Sequence, residues 1–288
     1  MILVIAGATG TGKSELAIEL AKKVDGEIIN ADAFQVYQEL SIATAKPTLS
    51  MRKVVPHHLF DFVPLNEDYD VERYQKELRN ALNEVLSRGK TPIIAGGSGL
   101  YLRASLFDYS FSEKPREIDE SKYEAFSNEE LHAKLEAIDP EEAMKIHPNN
   151  RRRVLRAIEI YEQEGKKKSE LISMQEHRPI FDCRFFGLKP DRESLYEKVE
   201  KRVDRMFEEG LVEETLPLIE KYGRSPHAFQ AIGVKELFPY LDGEISLQEA
   251  KDLIKKNTRH YIKRQDTFFA HQFEIDWVDG IQEILEAL

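Results

Sequence analysis

What the chain lacks narrows the field first. It holds one cysteine, Cys183, in 288 residues, which rules out a disulfide framework and a cysteine-built zinc site. It has no apolar run of membrane-spanning length, since the opening MILVIAGA is far too short. That opening carries no basic leader and passes straight into a glycine loop, so it reads as a buried strand and not as a signal peptide. No membrane association and a cytoplasmic location are the resulting expectations. There is also no excess of positive charge: 41 Lys and Arg against 52 Asp and Glu leave a net charge of −11. Such a sum argues mildly against a nucleic-acid partner, although the distribution of charge matters more. Internal repeats and low-complexity linkers are absent. What remains, 41% hydrophobic and 32% charged residues, is the balance of a globular chain of one large or two smaller domains.

Apolar and amphipathic stretches alternate along the first hundred residues. ILVIAG suits a central parallel strand, and Leu16, Ala17, Leu20, Ala21 and Val24 then recur at helical spacing. EIINA and HHLFDFV are strand candidates. A helix is expected over 70–88, with Gly89 as its terminating glycine, and TPIIAGG follows as a further strand. This order predicts a parallel sheet with right-handed crossovers. After Phe111 the text becomes charged and helix-prone. The expected division is therefore a phosphate-loop α/β core over 1–111 and 149–288, flanked by helices, with a small all-helical insertion over 112–148. A long helix begins near Asn150. CRFFGLKP returns to the sheet, amphipathic helices cover roughly 191–222 and 246–270, and FEIDWV offers a last strand.

Between the first strand and the first helix stands GATGTGKS, which fulfils Gly-x4-Gly-Lys-Ser with Gly7, Gly12, Lys13 and Ser14. Glycines let successive N–H groups curl around phosphate oxygens, and the helix N-terminus adds free donors and a favourable dipole. Lys13 supplies a cation, and the Ser14 hydroxyl suits Mg2+. The loop alone admits ATP binding, GTP binding, a small-molecule kinase, or a transferase that expels diphosphate. No Asn-Lys-x-Asp guanine signature is present, and no apolar strand ends in paired acids; Asp61 in HLFDF is the single candidate acid.

Asp32 lies just past the second strand candidate. The carboxyl ends of parallel strands face the ligand crevice, which places Asp32 near the phosphate loop. Locally it also reads as a helix cap for AFQVYQEL. His57 and His58, adjacent on a strand, should face opposite ways, which is poor geometry for joint metal binding.

GATGTGKSELA, NADAFQVYQELSIATAKP, PHHLFDF, IIAGGSGLYLRA, HPNNRRRVLRAIEIYEQEGK, LKPDRESLYEKVEKRVDRMFEEGLVEE, QAIGVKE and TRHYIKRQDTFF follow one another as in the tRNA dimethylallyltransferases of bacterial type. The chain resembles that family over nearly its whole length. The resemblance implies transfer of a dimethylallyl group from dimethylallyl diphosphate to the exocyclic amine of the adenosine next to the anticodon, with release of diphosphate. It implies that Gly7, Ala8, Thr9, Gly10, Thr11, Gly12, Lys13 and Ser14 bind the diphosphate, with Mg2+ on Ser14. It casts Asp32 as general base, and Lys13, Thr9, Ser98 and Arg202 as further catalytic positions. Asp32, Ala33, Phe34 and Gln35, together with Arg152, Arg153, Val154, Leu155 and Arg156, become tRNA-contacting positions on the anticodon stem-loop. A tunnel open at both ends and a monomeric state are part of the same expectation.

Helical periodicity sets Val154, Leu155, Ile158 and Tyr161 on one side of their helix and Arg152 and Arg156 on the other. In KDLIKKNTRHYIKRQDTFF, Lys255, Lys256, Arg259 and Lys263 form a second basic flank. Arg264 points instead toward the apolar side and needs a partner there. Some positions depart from the family's usual pattern: Ala33 for serine, Ala43 for glycine, Ser98 for threonine, and phenylalanine for tryptophan in DTFF. The rival readings are a free-adenylate isopentenyltransferase, a small-molecule kinase using ATP, and a non-catalytic RNA-binding module.

Overall fold

The computed structural model describes residues 1–111, 120–175 and 177–288. Residues 112–119 of the expected insertion, and Glu176, lie outside them. The chain divides into two compact units, 1–106 with 181–288, and 107–180.

The first unit is built on a parallel six-stranded sheet in the order β3-β2-β4-β1-β5-β6. Its strands are β1 (Ile2–Ala6), β2 (Gly26–Asn30), β3 (His57–His58), β4 (Thr91–Gly96), β5 (Cys183–Leu188) and β6 (Asp276–Val278). All five residues of β1 are buried, as befits a strand between β4 and β5 with helices on both faces. The connections include α1 (Lys13–Lys23) and α3 (Val71–Ser87). The latter is capped by Asp70, whose side chain accepts from Arg73 N, and it buries Tyr74, Leu78, Ala81, Leu82 and Val85. Gly89 follows at φ +71°, the terminating glycine that the spacing predicts. α4 (Gly99–Leu106) leaves β4. After β5 come α9 (Arg192–Glu208), α10 (Leu211–Tyr222) and the 26-residue α12 (Leu247–Gln272), which packs on both α9 and α4. Three short helices complete this unit, α2 (Leu49–Arg52), α11 (Phe238–Leu241) and α13 (Ile281–Ala287).

Two close approaches shape the carboxyl end of this sheet. A Cβ on Gly96 would stand 2.1 Å from the Ala31 carbonyl oxygen, so only glycine lets the end of β4 touch the loop leaving β2. A Cβ on Gly10 would stand 2.3 Å from Val199 Cγ1, and Gly10 has φ +83°; the phosphate loop therefore rests directly on α9.

Three expectations about elements are corrected. HHLFDFV yields only the two-residue β3, because Leu59 and Asp61 take positive φ and break the strand. AFQVYQEL forms no helix: Phe62 N and Val63 N donate to Val36 O, and Gln38 N donates to Val63 O, so this segment pairs with 62–63 instead. The stretch 191–222 is two helices, parted at Gly210 with φ +98°.

The second unit holds α5 (Asn128–Ile138), α6 (Pro140–Lys145), α7 (Arg151–Glu164) and α8 (Lys168–Ser173). Its boundaries are wider than the predicted 112–148, because α7 does not belong to the sheet unit. Val154, Leu155, Ala157 and Ile158 of α7 pack with Leu131, Leu135 and Ile146 in a core of their own. Buried Asp139 ties α6 to α8 by accepting from Glu142 N, Ser169 N and Ser169 Oγ.

Candidate active site

The site of the sheet unit lies where the resting places of Gly7–Ser14 and Asp32 converge, at the carboxyl ends of β1 and β2. Two cavities meet there. One, of about 260 Å³, runs along the phosphate loop and is lined by Thr9, Gly10, Gly12, Lys13 and Ser14, with Lys198, Arg202 and Arg205 of α9 opposite. The other, of about 270 Å³, is lined by Phe34, Met206, Ile232, Ile254, Tyr261 and Arg264 among others. Thr9, Asp32, Thr44, Ala45 and Arg202 line both. An anionic group in the first cavity and a base in the second would thus face each other across Asp32.

The phosphate loop has the expected conformation. Gly7, Gly10 and Gly12 have φ of +141°, +83° and +104°, a region open to glycine, and Gly12 opens α1. Lys13 Nζ lies back over its own loop and donates to Ala8 O. The Ala8 side chain is buried, as is Thr11, whose hydroxyl also donates to Ala8 O, so these two residues build the loop from inside. The Thr9 amide departs from the expectation that it serves phosphate. It donates to Gln265 Oε1 at 2.9 Å, while the Thr9 hydroxyl accepts from Arg202 at 3.2 Å.

Asp32 is held by its own chain. Its Oδ1 accepts from Phe34 N at 2.9 Å and Gln35 N at 3.3 Å, the cap-like bonds that local sequence predicted, here closing a turn. Its own amide donates to Asn30 Oδ1. Ser98 Oγ accepts from Ala33 N at 2.9 Å, and Gln35 Nε2 donates to the carbonyls of Thr44 and Ala45.

Asp32, Lys13 and Arg202 are only half-buried by surface, and all three line the loop cavity. Burial dominates their ionisation. It raises the Asp32 carboxyl above its ordinary range, against the pull of two backbone donors and of Lys13 and Arg202. It lowers Lys13 to about 8, against Asp32, and it lowers Arg202, again against Asp32. The Nε of Arg202 is buried with no protein partner among the described residues, a donor suited to a phosphate oxygen. Arg202 thus lines both cavities and is not a solvated helix arginine.

The donor set fits magnesium shared with a substrate. Ser14 lines the loop cavity, and Mg2+ is commonly held by one or two protein oxygens together with substrate phosphates and water. Among the described residues no three His, Cys, Asp or Glu side chains are placed to hold a metal by themselves. Asp61 is not available as the acid of an ATPase, since its carboxylate is taken by Lys46 and Arg52. His57 and His58 part as expected: His58 meets Glu27 at 2.7 Å, and His57 Nδ1 meets the Val55 carbonyl.

Of the arginine segment, which lies in the second unit, Arg152 and Arg153 are exposed. Arg156 lies 3.7 Å from Glu159. Val154 and Leu155 are buried in that unit's core, so their side chains are unavailable to RNA, and Tyr161 is exposed, contrary to its place on the apolar side. Two of the four cations of the second basic flank are paired, Lys255 with Asp204 and Arg259 with Glu200. Arg264 is exposed and has a ring as its partner, with its guanidinium 5.7 Å from the Tyr261 centroid; it lines the second cavity.

Three contributors escaped sequence reading. Gln265 joins the phosphate loop to Gly97, just past the end of β4. Tyr261 lines the second cavity. Glu214 of α10 accepts from the amides of Ser41, Ile42 and Ala43 at 2.9–3.0 Å. The readable signal for Gln265 was an amide set in the apolar stripe Ile254, Ile262, Phe269 of α12.

A glycine cradle facing a buried carboxylate across two joined cavities defines a phosphate-loop transferase, with room for a donor and an acceptor at once. The IPP transferase family model matches residues 35–272. The chain is 42% identical over 279 residues, 96% of its own length and 90% of the relative's, to a tRNA dimethylallyltransferase of Anoxybacillus flavithermus. Among solved structures, a tRNA delta(2)-isopentenylpyrophosphate transferase from Staphylococcus epidermidis superposes with a TM-score of 0.73 at 38% identity, covering 99% of this chain and 96% of that one. A eukaryotic dimethylallyltransferase acting on tRNA gives 0.82 at 34% identity, with 96% and 73% covered. The chain belongs to the IPP transferase family, the family of the tRNA dimethylallyltransferases.

Proposed function

We propose that this protein transfers a dimethylallyl group from dimethylallyl diphosphate to the exocyclic amine of the adenosine next to the anticodon of tRNA, releasing diphosphate. The observation that carries the reading is the meeting of a cationic loop cavity and a second, more apolar cavity at Asp32, Thr9 and Arg202. Diphosphate lies in the first, against the loop amides other than that of Thr9, with Lys13 and Arg202 balancing its charge. The adenine enters the second, having left its stack to do so. The C–O bond of the allylic carbon breaks, and its electron pair leaves with diphosphate. The exocyclic nitrogen bonds to that carbon, and one of its protons passes to the Asp32 carboxylate. The raised proton affinity of Asp32 suits it to take that proton from a weakly basic amine. Leaving-group stabilisation by fixed donors and positioning across the shared wall supply most of the rate. Magnesium, when bound at Ser14, would add charge neutralisation on the departing diphosphate. Exposed Arg152 and Arg153 are phosphate contacts that position the stem. The location that fits this substrate is the cytoplasm, and the protein acts there as a monomer.

Incubation with labelled dimethylallyl diphosphate, magnesium and either unmodified tRNA or AMP tests the proposal. Label should enter tRNA alone. Label in AMP, or ATP consumed without prenyl transfer, would replace it with the adenylate or kinase reading.

A further inference from the structure

Gln265 is 5% exposed in an otherwise apolar stripe of α12. A buried amide costs stability unless it is fully hydrogen-bonded, and an apolar side chain would fill the place more cheaply. Its two ends are both engaged. Oε1 accepts from Thr9 N at 2.9 Å, and Nε2 donates to Gly97 O at 2.9 Å. That orientation follows from the partners, because the Thr9 amide can only donate and the Gly97 carbonyl can only accept. Ser98, next in the chain after Gly97, donates its amide to Ala31 O at 3.0 Å, and its Oγ accepts from Ala33 N beside Asp32. The path Thr9–Gln265–Gly97–Ser98–Ala33 thus runs from the phosphate cradle to the loop of the buried carboxylate. The fit at Gly97 is equally tight, since a Cβ there would stand 2.2 Å from Gln265 Nε2.

Resting on the transfer reaction above, the geometry points to Gln265 as a positioning residue: it fixes the register between the diphosphate cradle and Asp32 by turning the Thr9 amide away from phosphate and its hydroxyl toward Arg202. One acceptor and one donor are required at this place. An amide supplies both, whereas a carboxylate would set an oxygen against the Gly97 carbonyl.

Gln265→Leu and Gln265→Glu test this. The leucine variant should stay folded and keep its affinity for tRNA, with a Tm lowered no further than the stranded Thr9 amide and Gly97 carbonyl account for, while kcat falls about 10- to 100-fold, the scale of a small misplacement of reacting groups, and the KM for dimethylallyl diphosphate rises. The glutamate variant should be impaired at pH 8 and recover relative to wild type as pH falls, because a protonated carboxyl regains one donor and one acceptor. Independently of any reaction, amide exchange at Thr9 in the unliganded leucine variant should be faster than in wild type. Unchanged kcat and KM in the leucine variant, a pH-independent ratio for the glutamate variant, or unchanged exchange at Thr9 would overturn the inference. A wild-type protein that moves no prenyl group to tRNA would overturn the function while the exchange measurement still decides the role of Gln265.

Discussion

Asp32 concentrates the conflict between stability and chemistry. Its neighbours Lys13 and Arg202 favour the carboxylate, but burial outweighs them and lifts its proton affinity. A carboxyl whose folded pKa exceeds its unfolded one stabilises the fold at low pH and costs stability as pH rises through the folded value. Asp32→Asn keeps an oxygen for the Phe34 and Gln35 amides and removes the buried charge, so thermal melting at pH 7–8 should show an equal or higher Tm, with turnover nearly abolished. A variant that melts lower would mean that the carboxylate is net stabilising. The same two groups set the pH profile. Transfer needs Asp32 ionised, so kcat/KM for the donor should rise with pH through a value above the usual carboxylate range. It should fall again near pH 8 as Lys13 loses its proton. Replacing Asp32 should remove the acid limb and leave the alkaline one. Sequence carried this residue far: its position past a strand and its cap-like bonds were both legible. Its partners were less so, since Arg202 reads locally as an ordinary surface arginine until α9 is packed against the loop at Gly10.

At the scale of elements, the site is assembled by helices that arrive late in the chain. α10 holds the 41–45 loop through Glu214, whose carboxylate accepts three amides, and that loop in turn presents Thr44 and Ala45 to both cavities and to Gln35. Glu214→Ala strands those donors, at about 1–3 kcal/mol for such a loss. It should lower Tm and raise the KM for donor and tRNA together; an effect on neither would show that the loop holds its shape without the carboxylate. Periodicity was sufficient for α1, α3 and α12, where apolar spacing and end signals agree. It failed for AFQVYQEL and HHLFDFV, because those segments pair with each other and turn at Leu59 and Asp61, choices made by tertiary contact. Glu214 and Gln265 were invisible for the same reason: their partners lie far away in sequence, and a helical pattern says which face is buried but not what it meets.

Across the whole molecule, charge is sorted rather than balanced. The acidic total coexists with a cationic cavity, and several basic side chains of α12 are spent on α9 acids. Arg152 and Arg153 of the second unit are exposed, and the proposed function has them meet RNA phosphate. Replacing both by alanine should weaken tRNA binding and reduce the slope of log affinity against log salt by about one per lost contact, leaving the KM for dimethylallyl diphosphate unchanged. An unaltered salt slope would remove them from the interface. The α/β architecture and helical second unit were legible from the order of patterns; the true extent of that unit was not, because α7 reads equally well as a helix of either one until its apolar face finds Leu131 and Leu135.

The most direct measurement is a single-turnover reaction of wild type and Asp32→Asn with labelled dimethylallyl diphosphate and unmodified tRNA, with tRNA affinity determined on the same preparations. Wild type should pass the label to the adenosine beside the anticodon and release one diphosphate for each group transferred. Asp32→Asn should bind tRNA equally well and be slower by about 10²-fold or more, the range of a lost general base. Transfer at the wild-type rate by Asp32→Asn, or release of diphosphate with no label in tRNA, would contradict the account.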